Sequence, residues 1–378
     1  MIAHRTGLLC TLLFALSGCA MEAKPGAEFA PGVARGASLA FEIRHEFTID
    51  VPDAATRLDA WLPMPSPNDQ FQDVTQWIVD EGRLETEVIE DNWGNAFLHV
   101  FRDDPDAGVN TVTTTFRLTR FEEIAELDPE GTRGHTLAEQ TELAPWTAPT
   151  AMTVSDPEIK AMAAEAVGAE PNPIRAARKL YDTVIERVEH AAKDPNPDSA
   201  RVLHATGRGS SQLCFTSGSG DDVDIHALYA AAARSIGLPC RIVFGSRLKP
   251  DLAGKDVDQG VHTWVEINVP NVGWIPLDLA LADLYAPGFD PNAVARERAE
   301  QVLGETYTGP DPSRVDFYFG HVDARRVSWH WGRDLDVGQF EAPLLSNATG
   351  YVEVDGIPTE VRRKLTYVEL DESPPTSE

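Results

Sequence analysis

Basic residues are scarce in this sequence. Its 378 residues contain 32 lysines and arginines against 60 aspartates and glutamates, which gives a formal net charge of −28 at pH 7. Binding to nucleic acid and electrostatic docking on anionic lipid both need clustered lysine and arginine. The composition therefore predicts no nucleic-acid partner, and the acidity indicates a well-solvated surface.

The apolar run near the N-terminus is short. It extends from Leu8 to Leu16, too few residues to span a bilayer as a mature helix, and His4 and Arg5 precede it. It ends in Leu16-Ser17-Gly18-Cys19, which resembles the lipobox of bacterial lipoproteins. The resemblance predicts a signal peptide over residues 1–18 and acylation of Cys19. An ordinary secretory signal with a chance cysteine is the alternative.

A lipidated Cys19 would place the protein in the cell envelope, with the membrane as a partner through the lipid anchor. Several acyl chains anchor a protein stably, whereas one is marginal. Residues 19–37, rich in Ala, Gly and Pro, would form a flexible tether. Residue 20 is Ala and not Asp, which by the same resemblance favours the outer membrane, with the protein facing the periplasm or the cell surface.

Cysteine is also rare. Of the four cysteines, Cys10 would leave with the signal peptide and Cys19 would be acylated, so Cys214 and Cys240 would remain as thiols. Two thiols make no disulfide framework. Whether they pair is open, although Cys240 directly precedes an apolar strand, which favours a buried and unreacted thiol.

Alternating apolar and polar residues begin at Leu39 and continue through Val51, and no helical period appears before residue 121. This pattern is typical of half-buried antiparallel strands. We therefore predict an all-β sandwich domain over residues 38–126. Residues 127–154, rich in Pro, Gly, Thr and Glu, would connect it to a second domain.

Helix signals start at Asp156-Pro157 and again at Asn172-Pro173, where a capping residue precedes proline at the first helical position. The stretch from residue 220 to 241 then predicts a turn, an Ala-rich helix and a buried strand, with Gly237 ending the helix.

This stretch resembles the core of bacterial transglutaminase-like proteins, which have a papain-like fold. In that family Gly-x-Cys-x-Asp-x-His/Ala-x-Leu-Phe carries the nucleophilic cysteine at a helix N-terminus, and Arg-x-x-Gly-Ile-Pro-x-Arg follows. The matching residues here are Asp224, His226, Leu228, Tyr229, Arg234, Gly237, Pro239 and Arg241. The position of the nucleophile is occupied by Asp222.

Two later strands extend the resemblance. His262-Thr263-Trp264-Val265-Glu266 and Gly273-Trp274-Ile275-Pro276-Leu277-Asp278 resemble the strands that carry the family's general base and its orienting aspartate. The resemblance assigns these roles to His262 and Asp278. It predicts an α+β protein, an N-terminal β-sandwich followed by a papain-like, transglutaminase-like core over residues 155–370, with residues 371–378 as a disordered tail.

Three hypotheses for Asp222 remain open. In the first, Asp222 caps the helix and pairs with His262, and the helix end keeps its carboxylate ionised, so the site has no acyl-transfer nucleophile. In the second, Asp222 activates water, or a divalent metal binds among acidic and histidine side chains. The candidate ligands are Asp221, Asp222, Asp224, His226, His262 and Asp278, although their spacing matches no metal motif and His226 is expected to pack on the helix. In the third, Cys214, placed in an upstream loop, replaces the nucleophile.

The sequence favours the first hypothesis. It predicts a catalytically impaired relative, without a cofactor or metal, that binds peptide or protein at the cell envelope. The alternative is an active hydrolase or acyltransferase on amide bonds that uses Asp222, His262 and Asp278.

Overall fold

The computed structural model of the chain describes residues 32–257, 261–337, 345 and 349–371. The predicted signal peptide, the acylation site at Cys19 and nearly all of the predicted tail lie outside the described residues. Among the helices that are described, none is both long and apolar enough to cross a membrane.

The N-terminal region is built from antiparallel strands, as the alternating pattern predicts. Phe41, Ile43, Phe47 and Ile49 are fully buried on one face of the first strand. The strands are β1 (Val33–Val51), β2 (Arg57–Pro63), β3 (Gln72–Asp80), β4 (Glu85–Glu90), β5 (Ala96–Asp103) and β6 (Gly108–Ala125). Residues 33–37, predicted as part of the tether, belong to β1, because Val33 and Ala34 pair with the end of β6.

The core region mixes helices with short and long strands. In chain order its elements are α1 (Leu137–Glu142), α2 (Pro157–Val167), α3 (Pro173–Arg187), β7 (Glu189–His190), α4 (Ala200–Ala205), α5 (Ser211–Ser217), β8 (Ser219–Gly220), α6 (Asp222–Ser235), β9 (Cys240–Arg247), β10 (Val261–Val269), β11 (Gly273–Leu277), α7 (Leu279–Leu284), α8 (Ala293–Leu303), α9 (Pro312–Phe317), β12 (His321–Val322) and β13 (Arg326–Trp331). The fold is therefore α+β, as predicted. Asp156 and Asn172 cap α2 and α3 as the sequence indicates.

Helix α1 lies inside the segment predicted as a connector. Thr136 and Glu139 form a capping box at its start, a signal that the sequence analysis missed.

A four-stranded antiparallel sheet in the order β11-β10-β9-β13 forms the centre of the core. Helix α6 packs against it, and every residue of α6 from Asp224 to Arg234 is buried. The helix ends at Ser235, because Gly237 takes a left-handed conformation with φ of 78° and the chain turns into β9. This arrangement brings the N-terminus of α6 beside the start of β10.

The C-terminal strands correct the predicted boundary of the core domain at residue 370. They are β14 (Tyr351–Val354), β15 (Ile357–Pro358) and β16 (Val361–Leu370). β16 pairs antiparallel with β1 from Ala40 to Ile49, and β14 pairs with β2. The sandwich sheets run β12-β6-β1-β16, with β3 also on β6, and β15-β14-β2-β5-β4. Local sequence signals do not specify distant partners, and β16 covers an edge of β1 that would otherwise be open.

Strand β16 also supports the core region. The N–H groups of Gly254 and Val257 donate to the carbonyls of Tyr367 and Leu365 at 2.8 and 2.7 Å. The loop that leads toward β10 is therefore hydrogen-bonded to the sandwich domain.

Candidate active site

A capping box opens helix α6. The Asp221 side chain accepts the Asp224 N–H, and the Asp224 carboxylate accepts the Asp221 N–H at 3.1 Å. Asp224 is fully buried and also accepts the N–H groups of residues 207–209. The cap is thus Asp221 and not Asp222, which corrects the first hypothesis on that point.

Asp222 is the first residue of α6, and its side chain reaches across to β10. Its Oδ2 accepts the backbone N–H of Thr263 at 2.5 Å and the Thr263 hydroxyl at 3.1 Å. The side chain keeps 18% of its exposure. The carboxylate therefore bridges the helix N-terminus and the strand, while the side chain as a whole stays partly exposed.

His262 lies between the two carboxylates that the sequence analysis singled out. Its Nε2 is 2.7 Å from Asp278 Oδ2, a hydrogen bond, and its Nδ1 is 3.6 Å from Asp222 Oδ2, an electrostatic contact. Asp278 caps α7 through its Oδ1, which accepts the Leu281 N–H at 3.1 Å. The fold brings Asp222, His262 and Asp278 together in one place.

His226 supports this group from the interior. The Leu279 N–H donates to His226 Nε2 at 3.0 Å, so the neutral ring carries its proton on Nδ1 and donates it to the Thr263 hydroxyl at 3.1 Å. The Thr263 hydroxyl is then free to donate to Asp222. Burial lowers the pKa of His226 to about 3, which keeps the ring neutral. His226 packs on the helix as expected, but its link to Asp222 through Thr263 was missed.

Arg326, the first residue of β13, also belongs to the site, and no role was predicted for it. It is fully buried, and its Nη1 donates to Asp278 Oδ2 at 2.8 Å. It lies 48 residues beyond Asp278 in the chain. No local pattern connects the two, so the sequence did not predict this contact.

The pKa values of the Asp278 and Asp222 carboxylates are shifted in opposite directions. Burial by itself would raise the pKa of Asp278, but His262 and Arg326 hold that pKa well below its usual value. Burial raises the pKa of Asp222, although His262 and the Thr263 N–H act against it. The helix N-terminus was expected to keep Asp222 ionised, but burial of this carboxylate between α6 and β10 acts in the opposite direction.

Cys214 does not meet the needs of a displaced nucleophile. It lies on α5 and not in a loop, and it is fully buried. Burial and the nearby Asp224 and Asp221 raise the pKa of its thiol well above the usual value, which disfavours the reactive thiolate. Both described cysteines are free, and Cys240 is buried as expected.

The six side chains proposed as metal ligands do not converge. Asp224 faces the loop of residues 207–209, and His226 uses both ring nitrogens in protein hydrogen bonds. Among the residues whose placement is described, no group of three or more histidine, cysteine, aspartate and glutamate side chains is arranged to hold a metal ion. The metal form of the second hypothesis has no geometric support.

Known structures define the class of fold. A proposed cysteine protease from Cytophaga hutchinsonii superposes with a TM-score of 0.54 over 90% of this chain and 95% of that chain, at 14% identity. The periplasmic domain of TgpA from Pseudomonas aeruginosa matches 73% of this chain and 98% of its own at 17% identity, with a TM-score of only 0.34. The first comparison shows a shared papain-like fold, whereas the second is too distant to compare individual residues.

The family match is more specific. Residues 160–279 match the transglutaminase-like superfamily, so this chain contains a transglutaminase-like domain. An uncharacterised protein of Haemophilus influenzae is 25% identical over 224 residues, which is 54% of this chain and 55% of that protein. The chain therefore spans about half the length of this curated relative. Arg326 lies beyond the region that the family match covers.

Proposed function

We propose that this chain is a catalytically impaired transglutaminase-like protein that binds a peptide or protein segment at the bacterial cell envelope. One observation carries the proposal. Asp222 occupies the position where the family motif has its cysteine, so the site has no thiolate there. Its Oδ2 instead accepts two hydrogen bonds from Thr263. The rest of the site, His262 with Asp278, stays intact.

The chemistry of a carboxylate supports impairment. Cysteine catalysis depends on a thiolate that forms a covalent acyl intermediate and on a histidine that passes a proton to the leaving group. Attack by a carboxylate on an amide would give an anhydride, a much poorer intermediate than a thioester. The Oδ2 lone pairs of Asp222 are also already engaged by Thr263.

The proposed location rests on the N-terminal sequence. A lipid on Cys19 would hold the protein at the envelope, with the outer membrane favoured, facing the periplasm or the cell surface. There the ligand would be an envelope peptide or protein segment, and the partly open Asp222 side chain would face it.

The test is to restore the thiol. The parent protein should show no cleavage or cross-linking of peptide amides, and Asp222→Cys should gain a thiol that iodoacetamide alkylates rapidly at pH 6. Val223→Cys is the matched control, because it places a thiol on the same half-buried helix turn without the contact to His262. Amide cleavage by the parent, lost in Asp222→Asn, would contradict the proposal.

A second candidate is an active hydrolase or acyltransferase on amide bonds, and the raised pKa of Asp222 favours it. Carboxylates with perturbed pKa values cluster at catalytic sites. A general base that activates water works best when its pKa lies near the working pH, above the usual value of an aspartate. This candidate requires an activity that iodoacetamide leaves intact and that His262→Ala abolishes.

A further inference from the structure

Two side chains and one backbone N–H fix the orientation of the Asp278 carboxylate. Its Oδ1 accepts the Leu281 N–H, and its Oδ2 accepts both His262 Nε2 and Arg326 Nη1, at 2.7 and 2.8 Å. His262 and Arg326 thus share one oxygen atom. Any displacement of Arg326 would change the position at which His262 finds its acceptor.

Arg326 itself has no freedom to turn. Its Nε and Nη2 donate to Asp323 Oδ2 at 3.2 and 2.9 Å. Its guanidinium also lies over the ring of Trp264, with Cζ 5.2 Å from the centroid. Arginine presents its donors in a rigid planar fork, so these contacts fix the direction in which Nη1 points.

Arg326 is also the permanent cation of the group. A histidine carries charge only while it is protonated, whereas a guanidinium stays protonated in proteins. A fully buried carboxylate such as Asp278 needs a lasting counter-charge when its histidine is neutral. Only Arg326 is placed to supply it within hydrogen-bonding distance among the described residues.

We propose that Arg326 is a positioning residue of this site: it holds Asp278 in place and thereby aims the His262 ring at residue 222. The inference rests on the assignment of Asp222, His262 and Asp278 as one site under the proposed function. It extends that site to a strand outside the matched family region.

The experiment uses the full chain with Asp222→Cys as a reporter. Alkylation of the introduced thiol by iodoacetamide is followed by mass spectrometry from pH 4 to 10. The pH at which the rate falls on the acid side, the acid limb, reports how strongly the imidazole partner stabilises the thiolate. Arg326→Met removes the guanidinium, and Arg326→Lys keeps the charge without the fork. Arg120→Met is the matched control. Arg120 is equally buried and lies over the same Trp264 ring at 6.0 Å, but it bonds Asp69 and Glu123 and not Asp278.

We expect Arg326→Met to move the acid limb about 1 to 2 pH units higher, as loss of a close cation and a displaced histidine both disfavour the thiolate. Arg326→Lys should show a smaller shift than Arg326→Met, because it keeps the positive charge. Arg120→Met should leave the pH profile of alkylation unchanged, even if it lowers the melting temperature as much as Arg326→Met does. If Arg326→Met does not fold, Asp323→Asn, which loosens Arg326 from its other side, should give a smaller shift in the same direction.

Two results overturn the inference, and they are distinguishable. If Asp222→Cys reacts at low pH but Arg326→Met and Asp323→Asn leave the profile unchanged, or Arg120→Met moves it equally, Arg326 is only a structural residue. If Asp222→Cys reacts no faster at low pH than Val223→Cys, the site assignment fails, and the inference fails with it.

Discussion

The Oδ2 atom of Asp222 accepts the backbone N–H of Thr263 at 2.5 Å. This bond joins the first residue of α6 to the third residue of β10. It places a carboxylate where the motif resemblance expects a thiol, and it gives that carboxylate a structural task. The Thr263 hydroxyl and His226 extend the link to the start of α7.

The first prediction concerns the Thr263 hydroxyl. Thr263→Val keeps the shape of the side chain but leaves the buried His226 Nδ1–H without an acceptor and takes one donor from Asp222. We expect a loss of about 1 to 3 kcal/mol in the free energy of unfolding, measured by urea denaturation. Thr263→Ser is the control, since it keeps the hydroxyl and loses one buried methyl, worth about 1 kcal/mol. Equal losses in the two variants would show that the hydrogen bonds do not matter.

The second prediction concerns a buried ionic cluster between the sandwich and the core. Arg120 donates to Asp69 at 2.9 Å and also to Glu123 Oε1. Within the part of the chain that the structure describes, Glu123 Oε2 has no hydrogen-bond partner. Burial raises the pKa of Glu123 to about 8, although Arg120 opposes the shift. The folded protein should therefore hold a proton on Glu123 that the unfolded chain releases above about pH 4.3.

The sign of the pH dependence follows from this proton. Because the folded state binds the extra proton, stability from this group is fully present at low pH and is lost as pH rises from about 4.3 toward 8. The slope should not exceed about 1.4 kcal/mol per pH unit. Urea unfolding of the parent and of Glu123→Gln at pH 5, 6, 7 and 8 measures it. The stability advantage of Glu123→Gln over the parent should grow with pH, and a constant difference would rule the interpretation out.

Local signals in the sequence were enough to predict the elements that carry the site. The capping residues before α2 and α3, the Ala-rich helix ended by Gly237, and the strand that bears His262 all depend on neighbours within a few positions. The bonds that complete the site do not. Asp222 meets Thr263 across 41 residues, and Asp278 meets Arg326 across 48. Such contacts depend on how the elements pack, which neither capping signals nor hydrophobic periods encode.

The same reason explains the boundary at the C-terminus. The strand of residues 361–370 alternates like other strands, but its partner β1 lies more than 300 residues earlier in the chain. A sequence pattern indicates that a strand exists and which face it buries. It does not say which edge will accept it.

The third prediction tests whether the C-terminal strand is part of the hydrophobic core. Leu365 is 2% exposed and pairs with His45 of β1, whereas Val368 of the same strand is 46% exposed. Leu365→Ala should lower the free energy of unfolding by about 2 to 5 kcal/mol, because it leaves a cavity between packed side chains. Val368→Ala is the matched control and should change it by no more than about 0.5 kcal/mol. Urea denaturation followed by tryptophan fluorescence measures both. Leu365→Ala keeps the backbone N–H that donates to Asp256 Oδ1 at 3.1 Å, but the cavity should loosen the strand that carries it. The loop of residues 248–257 should therefore become more open to limited proteolysis in Leu365→Ala, while Val368→Ala leaves it protected. A loop equally resistant in both variants would mean that the strand does not support the approach to His262.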